Sequence, residues 1–303
     1  VYMENIDIDS NNEVRVLLIV VNYNSSQDSE NLCNSVKHLD FIDLIIVDNN
    51  SSYGEQSKLS KLESNFKFIH VIYLKSNSGY FPAINIGLQY SKRNGTRYKY
   101  IIVGNNDLLF NDVFFQTLKS AKYGDDVYVV APDIINKNNN HQNPSVARKY
   151  SWLQLKYLDL YHSSYFVALF INAFSKILRF RGTQKSRKGW ERSSYISIGY
   201  GACYVLTRQY LDIIGEIPSY LFLMNEENSL SNIVFKSGGR IFYDSCLHVV
   251  HNEHSSIGKL RSKKMYEIAR KSYRISKMHF DHSKLYDKEF NKNEENFIYK
   301  IAK

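Results

Sequence analysis

The chain has 303 residues, of which 44% are hydrophobic and 23% are charged. These proportions are ordinary for globular domains and exclude a collagen, a coiled coil or a long disordered chain. The net charge of +9 is concentrated: residues 176–192 hold seven basic side chains and one acidic, and residues 259–277 hold eight and one. Because the rest of the chain is acidic, these two basic segments favour contact with an anionic surface or a polyanionic ligand.

The cysteine content predicts a reducing environment. The 3 cysteines are scattered and form no CxxC pair, which argues against both a disulfide framework and a structural zinc site. The first apolar run, residues 16–21, is too short and wrongly flanked for a signal peptide. We therefore predict a cytoplasmic protein.

The first 135 residues predict an α/β fold, because apolar runs rich in Val and Ile alternate with amphipathic stretches. Such runs are typical of a mainly parallel, Rossmann-like sheet with helices on both faces. Ser25 or Ser26 is predicted to cap a first helix and Asp112 to cap another, and a further helix is predicted to begin near Phe81. A polar loop at 136–143 marks a boundary. Strands are predicted at residues 14–21, 44–47, 68–74, 100–103 and 127–131.

Residues 152–180 are aromatic and apolar, but their uncharged stretch, 160–175, is shorter than the roughly 20 residues that cross a bilayer. Phe166, Phe170 and Phe174 fall on one helical face, and a basic segment follows. The pattern fits a helix lying in a membrane interface. It fits a buried packing helix equally well, since both kinds of helix carry one apolar face.

Small polar and acidic residues follow four of the predicted strands. Such residues also make turns and cap helices without any ligand, but four groups in succession favour a binding cleft at the carboxyl ends of the strands. No GxGxxG or P-loop motif is present, so a metal or side chains would have to meet the charge of a phosphate. Asp107 is a suitable oxygen ligand for Mg²⁺ or Mn²⁺. The groups are Asn22 and Tyr23, Asp48, Asn77 and Gly79, and Asn106 and Asp107.

The order of these fragments resembles glycosyltransferase family 2, and within it a rhamnosyltransferase-like branch of bacterial surface polysaccharide synthesis. Each fragment alone is weak, but the order is specific. The resemblance rests on Val-Asn-Tyr-Asn at 21–24, Val-Asp-Asn-Asn-Ser at 47–51, Asn-Ser-Gly-Tyr at 77–80, Asn-Asn-Asp at 105–107, Leu-Phe-Leu-Met-Asn-Glu-Glu at 221–227 and Val-Val-His at 249–251.

The resemblance implies a GT-A type fold and an inverting transfer from a nucleoside-diphosphate sugar with a divalent cation, Mg²⁺ or Mn²⁺. It implies a metal site at Asp107 and His251, and a general base at Glu227 beside Glu226. Asn105 departs from the family, because many members have the first acid of an Asp-x-Asp motif there, and this departure predicts weak metal binding. The resemblance assigns the nucleotide sugar to Asn22, Tyr23, Asp48, Asn77, Gly79, Asn85 and Asn106.

The residues themselves leave room for plainer interpretations of the late motifs. Acidic residues such as Glu226 and Glu227 are common at helix starts, although two adjacent carboxyls also raise each other's pKa. His248, His251 and His254 are three residues apart, but the run at 240–250 predicts a strand, which would scatter them and disfavours a zinc site.

Three segments are predicted: a nucleotide-sugar-binding half at 1–135, an acceptor and catalytic half at 136–257 with an amphipathic, membrane-associating helical insertion at 152–192, and a basic helical region at 258–303. The predicted partners are a UDP- or dTDP-sugar, a glycan or lipid-linked glycan acceptor, and the anionic inner face of the plasma membrane.

Two other functions are open. One is a non-catalytic scaffold that binds a nucleotide sugar. The other is a basic nucleic-acid binder, which is disfavoured because Tyr266, Tyr273 and Phe280 are seven residues apart and mark one packed helical face.

Overall fold

The structure is a computed structural model that describes residues 15–145, 152–179, 189–253 and 262–279. Its strands are β1 (Val16–Asn22), β2 (Ile42–Asp48), β3 (Ile69–Tyr73), β4 (Tyr100–Asn105), β5 (Leu108–Leu109), β6 (Val127–Asn136), β7 (Ser194–Ile196), β8 (Cys203–Leu206) and β9 (Arg240–His251). Its helices are α1 (Ser26–Val36), α2 (Tyr53–Asn65), α3 (Tyr80–Arg93), α4 (Asp112–Ser120), α5 (Trp152–Tyr161), α6 (Tyr165–Arg179), α7 (Arg208–Ile213), α8 (Glu226–Lys236) and α9 (Ser262–His279).

Within the described ranges, nine strands form one sheet in the order β3-β2-β1-β4-β8-β6-β9-β5, and β7 pairs with β9. The strands β3, β2, β1 and β4 are parallel, as predicted. β8 runs antiparallel to both β4 and β6, so the second half of the sheet is mixed. The carboxyl ends of β1, β2 and β4 therefore meet at one edge, where the polar residues that follow them come together.

The core lies on both faces of the sheet, because alternate side chains of each strand point in opposite directions. In β1, Leu18 packs with helices α1, α2 and α4 on one face, whereas Leu17 and Ile19 pack with α3, α7 and α8 on the other. All three side chains are completely buried. This explains why β1 is a continuous apolar run instead of an alternating one.

The helix starts are close to the predicted positions, but the capping groups differ. The cap of α4 is Asn111 instead of Asp112: its Oδ1 accepts a hydrogen bond from the N–H of Phe114 at 2.9 Å. Ser25 occupies the N-cap position of α1 without a capping hydrogen bond from its side chain. Glu55 of α2 performs this role, because its Oε2 accepts the N–H of Ser26 at 2.8 Å.

Helices α5 and α6 lie within the range 152–192, for which a helical insertion was predicted. Most of their described side chains are exposed or half-buried, whereas Ala168 is buried, with 2% of its surface exposed. Phe166 and Phe170 are 79% and 74% exposed, so this aromatic face does not pack inside the described part of the chain. None of the helices in these ranges combines the length and the hydropathy that a membrane-spanning helix requires.

Several predictions concern residues outside the described ranges. Val14 at the start of the first predicted strand, His254, and Phe280 in the basic helix lie there. The same holds for most of the basic segment at 176–192 and for part of the one at 259–277. The boundaries of the three predicted segments stay predictions.

Candidate active site

Asn22 and Asp48 are neighbours across the ends of β1 and β2, where they are register partners. Nδ2 of Asn22 donates to Oδ1 of Asp48 at 2.8 Å, and the amide of Gln56 and the N–H of Ser51 donate to Oδ2 of Asp48. Both Asn22 and Asp48 are completely buried. The carboxylate that was predicted to meet the nucleotide is therefore already satisfied by the protein, and its direct contact with a ligand stays a prediction.

Asn106 joins this pair from the end of β4. Its Nδ2 donates to Oδ1 of Asn22 at 3.0 Å and to the hydroxyl of Ser29 at 2.8 Å. Only 7% of Asn106 is exposed. Three strand ends are thus locked by side-chain hydrogen bonds, and the surface available to a ligand near them belongs to neighbours such as Tyr23, which is 41% exposed.

The loop that holds Asn77 and Gly79 is fastened by Asn49, a residue that follows β2. Nδ2 of Asn49 donates to the carbonyl of Gly79 at 2.9 Å, and its Oδ1 accepts the N–H of Ser78 at 2.8 Å. Oδ1 of Asn77 accepts the N–H of Gly79 at 3.0 Å. The loop is therefore held rigidly beside the buried network.

Gly79 lies against Phe222, in the segment that precedes α8. Its φ of +99° is a conformation that glycine adopts readily, and a Cβ built on it would lie 2.3 Å from the carbonyl oxygen of Phe222. The N–H of Tyr80 donates to the same carbonyl at 3.0 Å. The two segments meet so closely that glycine is required at this position.

Asn85 lies in a different environment from the other predicted ligands. Its amide pairs with the backbone of Ile217, donating to the carbonyl at 2.5 Å and accepting the N–H at 2.8 Å. With 6% exposure it fastens α3 to the segment before α8. Its predicted contact with the nucleotide sugar stays a prediction.

Asp107 and His251 come together at the far side of the same edge. Oδ1 of Asp107 lies 3.2 Å from Nε2 of His251, and the two residues are 8% and 5% exposed. They meet because β5, directly after Asp107, pairs with the end of β9 and places Leu108 opposite His251. The sequence separates these two residues widely, and the sheet brings them together.

The pair fits a divalent cation that a ligand helps to coordinate. The part of the chain described by the structure contains no cluster of three or more His, Cys, Asp or Glu side chains that could hold a metal alone. A carboxylate oxygen and an imidazole nitrogen are both suitable metal ligands. Mg²⁺ and Mn²⁺ sites are commonly completed by substrate phosphates, so a diphosphate would supply the remaining ligands.

Glu226 and Glu227 begin α8, which agrees with the plainer interpretation of the pair as a helix start. Glu226 is buried, and Glu227 is half-buried. The side chain of Glu227 packs against Gly201, because a Cβ built on Gly201 would lie 2.6 Å from Oε1 of Glu227. Burial raises the pKa of both carboxyls, and the charge of Glu227 raises that of Glu226 further. Backbone hydrogen bonds oppose the rise in pKa: they come from the helix start for both carboxyls and also from Gly201 for Glu227. Groups with such shifts are frequent at catalytic sites.

The turn before α8 is strained and is braced by α9. Met224 and Asn225 both have positive φ, 70° and 63°, which costs roughly 1–3 kcal/mol per residue. Ser272 of α9 donates to the carbonyl of Leu223 at 2.6 Å, and Nδ2 of Asn225 donates to the carbonyl of Ala269 at 3.5 Å. The basic C-terminal helix therefore supports the turn that presents the two glutamates.

Two tyrosines connect the surroundings of the predicted base to those of the predicted metal ligand: the ring centroid of Tyr200, which is next to Gly201, lies 6.2 Å from that of His251. Burial raises the pKa of Tyr80 and Tyr200, and the charges of Glu227 and Asp107 contribute to both rises. The hydroxyl of Tyr80 also donates to the carbonyl of Gly201 at 3.1 Å. Glu227 and Asp107 are thus connected through Gly201, Tyr200 and His251.

Sequence reasoning did not single out Tyr200, Gln142 or Asn49. Asn49 lies inside the motif at 47–51, and Tyr80, which was also given no role, lies inside the motif at 77–80. The motifs could therefore have pointed to both residues. Gln142 lies in the polar loop that was interpreted as a boundary, and its contact with His251 spans residues far apart in the sequence. Only the folded chain reveals it.

The sequence model of glycosyl transferase family 2 matches residues 17–186, which is more than half of the chain. Comparison with curated protein sequences gives no match.

Three solved structures with a similar fold are distant in sequence. Mannosyltransferase PcManGT from Pyrobaculum calidifontis, in complex with GDP-Man and Mn²⁺, is 14% identical with a TM-score of 0.50, covering 80% of this chain and 59% of that one. TarS 1-349 of S. aureus with UDP-GlcNAc is 14% identical with a TM-score of 0.53, covering 88% and 66%. GalNAc-T7 with UDP, GalNAc and Mn²⁺ is 15% identical with a TM-score of 0.53, covering 80% and 44%. The chain spans less than two thirds of the length of each, and the likeness confirms the fold class.

Gly79→Ala tests the close approach of the two segments. The new methyl group would meet the Phe222 carbonyl, which is backbone and moves only at a high energy cost. Gly95→Ala is the matched control, since Gly95 has φ +72° with nothing within 4 Å of its Cβ position. We expect Gly79→Ala to lower the free energy of unfolding by at least about 2 kcal/mol more than Gly95→Ala in urea titrations. Equal losses would show that only the backbone conformation matters.

Glu226→Gln tests the burial of the acidic pair. Because the folded state binds the proton of Glu226 more tightly than the unfolded state, the free energy of unfolding falls as pH rises from the ordinary pKa of 4.5 towards the raised value. We expect the variant to be more stable than the wild type at pH 8 by at least about 1 kcal/mol, the value of roughly one unit of pKa shift. The two proteins should converge near pH 4.5.

The control for this experiment is Glu216→Gln at an exposed position of the same segment. It should leave the pH dependence of unfolding unchanged. A Glu226→Gln variant whose stability parallels the wild type from pH 4.5 to pH 8 would contradict the raised pKa.

Proposed function

The chain belongs to glycosyl transferase family 2, and we propose that it transfers a sugar from a nucleoside-diphosphate sugar to a hydroxyl of a glycan acceptor with inversion at the anomeric carbon. The observation that carries the proposal is a chain of contacts: Glu227 packs against Gly201, the ring of the adjacent Tyr200 lies 6.2 Å from that of His251, and His251 contacts Asp107. Inverting transfer needs a base and a diphosphate site on opposite sides of one sugar-sized space, and this arrangement supplies candidates for both.

In the proposed reaction, Glu227 accepts the proton of the acceptor hydroxyl while the oxygen of that hydroxyl forms a bond to the anomeric carbon. The bond from that carbon to the diphosphate breaks on the opposite face, and the diphosphate leaves with the electron pair. A sugar hydroxyl is too weakly acidic to ionise at neutral pH, so a positioned base contributes roughly 10²- to 10⁴-fold to the rate. The raised pKa of the Glu227 carboxyl makes its ionised form a stronger proton acceptor.

The leaving diphosphate is assigned to the side of the site where Asp107 and His251 meet. A bound Mg²⁺ or Mn²⁺ would be held by these two side chains and would neutralise the charge that develops on the diphosphate. Their low exposure, 8% and 5%, strengthens electrostatic interactions there. Two of the similar structures contain Mn²⁺, which supports the choice of cation.

The donor is assigned to the edge formed by β1, β2 and β4. We propose a UDP- or dTDP-sugar, with Tyr23, Asn77 and Gly79 lining the nucleotide and the buried Asn22, Asp48 and Asn106 holding these groups in place. Similar structures contain GDP-Man, UDP-GlcNAc or UDP, which supports a nucleotide-sugar donor. The motif order supports a rhamnosyltransferase-like enzyme of bacterial surface polysaccharide synthesis.

Glu227→Gln tests the base. We expect transfer to fall by 10²- to 10⁴-fold, because the amide does not accept the proton. Binding of UDP or dTDP with Mn²⁺ should persist: at 100 times the dissociation constant it should still add about 2.7 kcal/mol of stability, read as a rise in melting temperature.

Glu216→Gln again serves as control and should keep both activities. Transfer by Glu227→Gln at the wild-type rate would refute the base assignment. A wild-type protein that binds nucleoside diphosphates but transfers no sugar from any donor would favour a scaffold.

We further propose that the enzyme works at the cytoplasmic face of the plasma membrane on a lipid-linked glycan. The support is the exposed apolar face of α5 and α6, in which Trp152 and Leu153 are 63% and 70% exposed beside the two phenylalanines of α6. Exposed cations of α9, including Lys271 and Arg274, add charge that suits anionic headgroups. Exposed aromatic residues with nearby cations are typical of interfacial helices.

Substitution of both Phe166 and Phe170 by Ser tests membrane association. Each phenylalanine contributes on the order of 1 kcal/mol or more when it enters the interface, so the double variant should bind vesicles of anionic phospholipid at least about 10-fold more weakly in sedimentation assays. The matched control replaces Tyr53 and Val113 by Ser, since these are 87% and 58% exposed elsewhere. Equal binding by both double variants would contradict the membrane proposal.

A further inference from the structure

A row of polar contacts lies behind His251, on the side away from Asp107. Gln142, in the loop after β6, places its Oε1 at 2.9 Å from Nδ1 of His251. Its Nε2 donates to Oε1 of Glu253 at 2.7 Å, just beyond the end of β9. Glu253, Gln142 and His251 therefore form a continuous hydrogen-bonded row, here called the histidine support.

The direction of each hydrogen bond in the histidine support follows from chemistry. A carboxylate such as Glu253 only accepts hydrogen bonds, so the NH₂ group of Gln142 must face it. The amide oxygen of Gln142 then faces His251, and an oxygen contact at 2.9 Å requires a proton on Nδ1. A neutral imidazole carries one ring proton, which leaves the lone pair on Nε2.

Nε2 has two polar neighbours: the amide of Asn105 agrees with this tautomer, and the carboxylate of Asp107 fits it when a cation lies between the two atoms. Nδ2 of Asn105, which is a donor only, lies 3.3 Å from Nε2 of His251. Oδ1 of Asp107 lies 3.2 Å from the same nitrogen. A lone pair and a carboxylate oxygen that face each other at this distance repel, and a cation bound by both removes the repulsion.

The loop that carries Gln142 is firmly held. Asn143 is completely buried, donates to the carbonyl of Pro132 at 2.7 Å and accepts the N–H of Tyr200 at 2.8 Å. On the other side of Gln142, Nδ1 of His141 contacts the buried carboxylate of Asp133 at 2.8 Å. Gln142 is therefore presented to His251 by fixed neighbours.

We propose that Gln142 and Glu253 are positioning residues that set the tautomer of His251, so that Nε2 offers its lone pair to a divalent cation next to Asp107. The cation itself rests on the proposed function, whereas the tautomer rests only on the contacts of the histidine support. In metal sites generally, the group that binds the second ring nitrogen orients the imidazole, and its loss weakens metal binding by 10- to 100-fold.

The first test measures the tautomer directly in the metal-free protein. Nitrogen-15 NMR of the histidine-labelled chain at about pH 8.5, where an ordinary imidazole is neutral, separates protonated from unprotonated ring nitrogens. His251 is assigned by the loss of its signals in His251→Asn. We expect a proton on Nδ1 in the wild type and a mixture of tautomers in Gln142→Met, which has a similar length and no amide.

Two internal controls accompany this measurement. His141 and His248 contact Asp133 through Nδ1, and unchanged signals from both in Gln142→Met show that the loop is intact. The exchanged pair Gln142→Glu with Glu253→Gln keeps an acceptor facing His251 and a donor–acceptor contact behind it. This double variant should restore the wild-type tautomer, which a merely space-filling role would not predict.

The second test measures the affinity for Mn²⁺ alone by electron paramagnetic resonance of the free ion. Gln142→Met should bind 10- to 100-fold more weakly than the wild type, and the exchanged pair should recover most of the loss. The histidine support is overturned if His251 is protonated on Nε2 in the wild type, or if Gln142→Met leaves its tautomer unchanged. A wild type with the expected tautomer that binds no Mn²⁺ refutes the proposed cation and leaves the tautomer assignment supported.

Discussion

Three parallel strands end in a buried network of amide and carboxylate groups, and the rest of the site is built on it. Asn22 donates to Asp48 and accepts from Asn106, so a single side chain ties β1 to both of its neighbours in the sheet. Buried polar groups are tolerated only when their hydrogen bonds are satisfied. This requirement fixes the three strand ends relative to one another, and therefore also fixes the start of the segment that carries Asp107.

The opposite wall of the site comes from much later in the chain and is held by backbone contacts. Gly79 and Tyr80 lie against the carbonyl of Phe222, and the amide of Asn85 pairs with the backbone of Ile217. The strained turn at Met224 and Asn225 then directs the two glutamates inward, with α9 bracing it from behind. Strain of this kind persists only where the surrounding structure enforces it. The basic helix therefore contacts the turn before α8 and also lies near α5, since Tyr266 donates to the carbonyl of Tyr161.

Motif residues in this chain serve two different purposes, and burial separates them. Asp48 and Asn85 resemble ligand-binding positions, yet their polar atoms are used by the protein itself. Tyr23 and Glu227 keep surface that a ligand could reach. A motif in the sequence specifies residue types and order, but it does not state whether a polar group faces a ligand or its own chain. That depends on neighbours such as Gln56, which becomes a neighbour only after α2 packs beside the strand end.

The sequence alone determined five strands and three of the four helices of the first half, and the edge where polar residues gather, because these depend on local periodicity and on residues close in the chain. It did not reveal α2, whose few apolar residues, such as Leu59 and Leu62, give a weak pattern. It also left open whether the aromatic helix was buried, and it gave no sign of the contact between Gln142 and His251. The tertiary structure decided these points: the pairing of β5 and β6 with β9 brings Asp107, Gln142 and His251 together across more than a hundred residues, and no local pattern encodes such a distance.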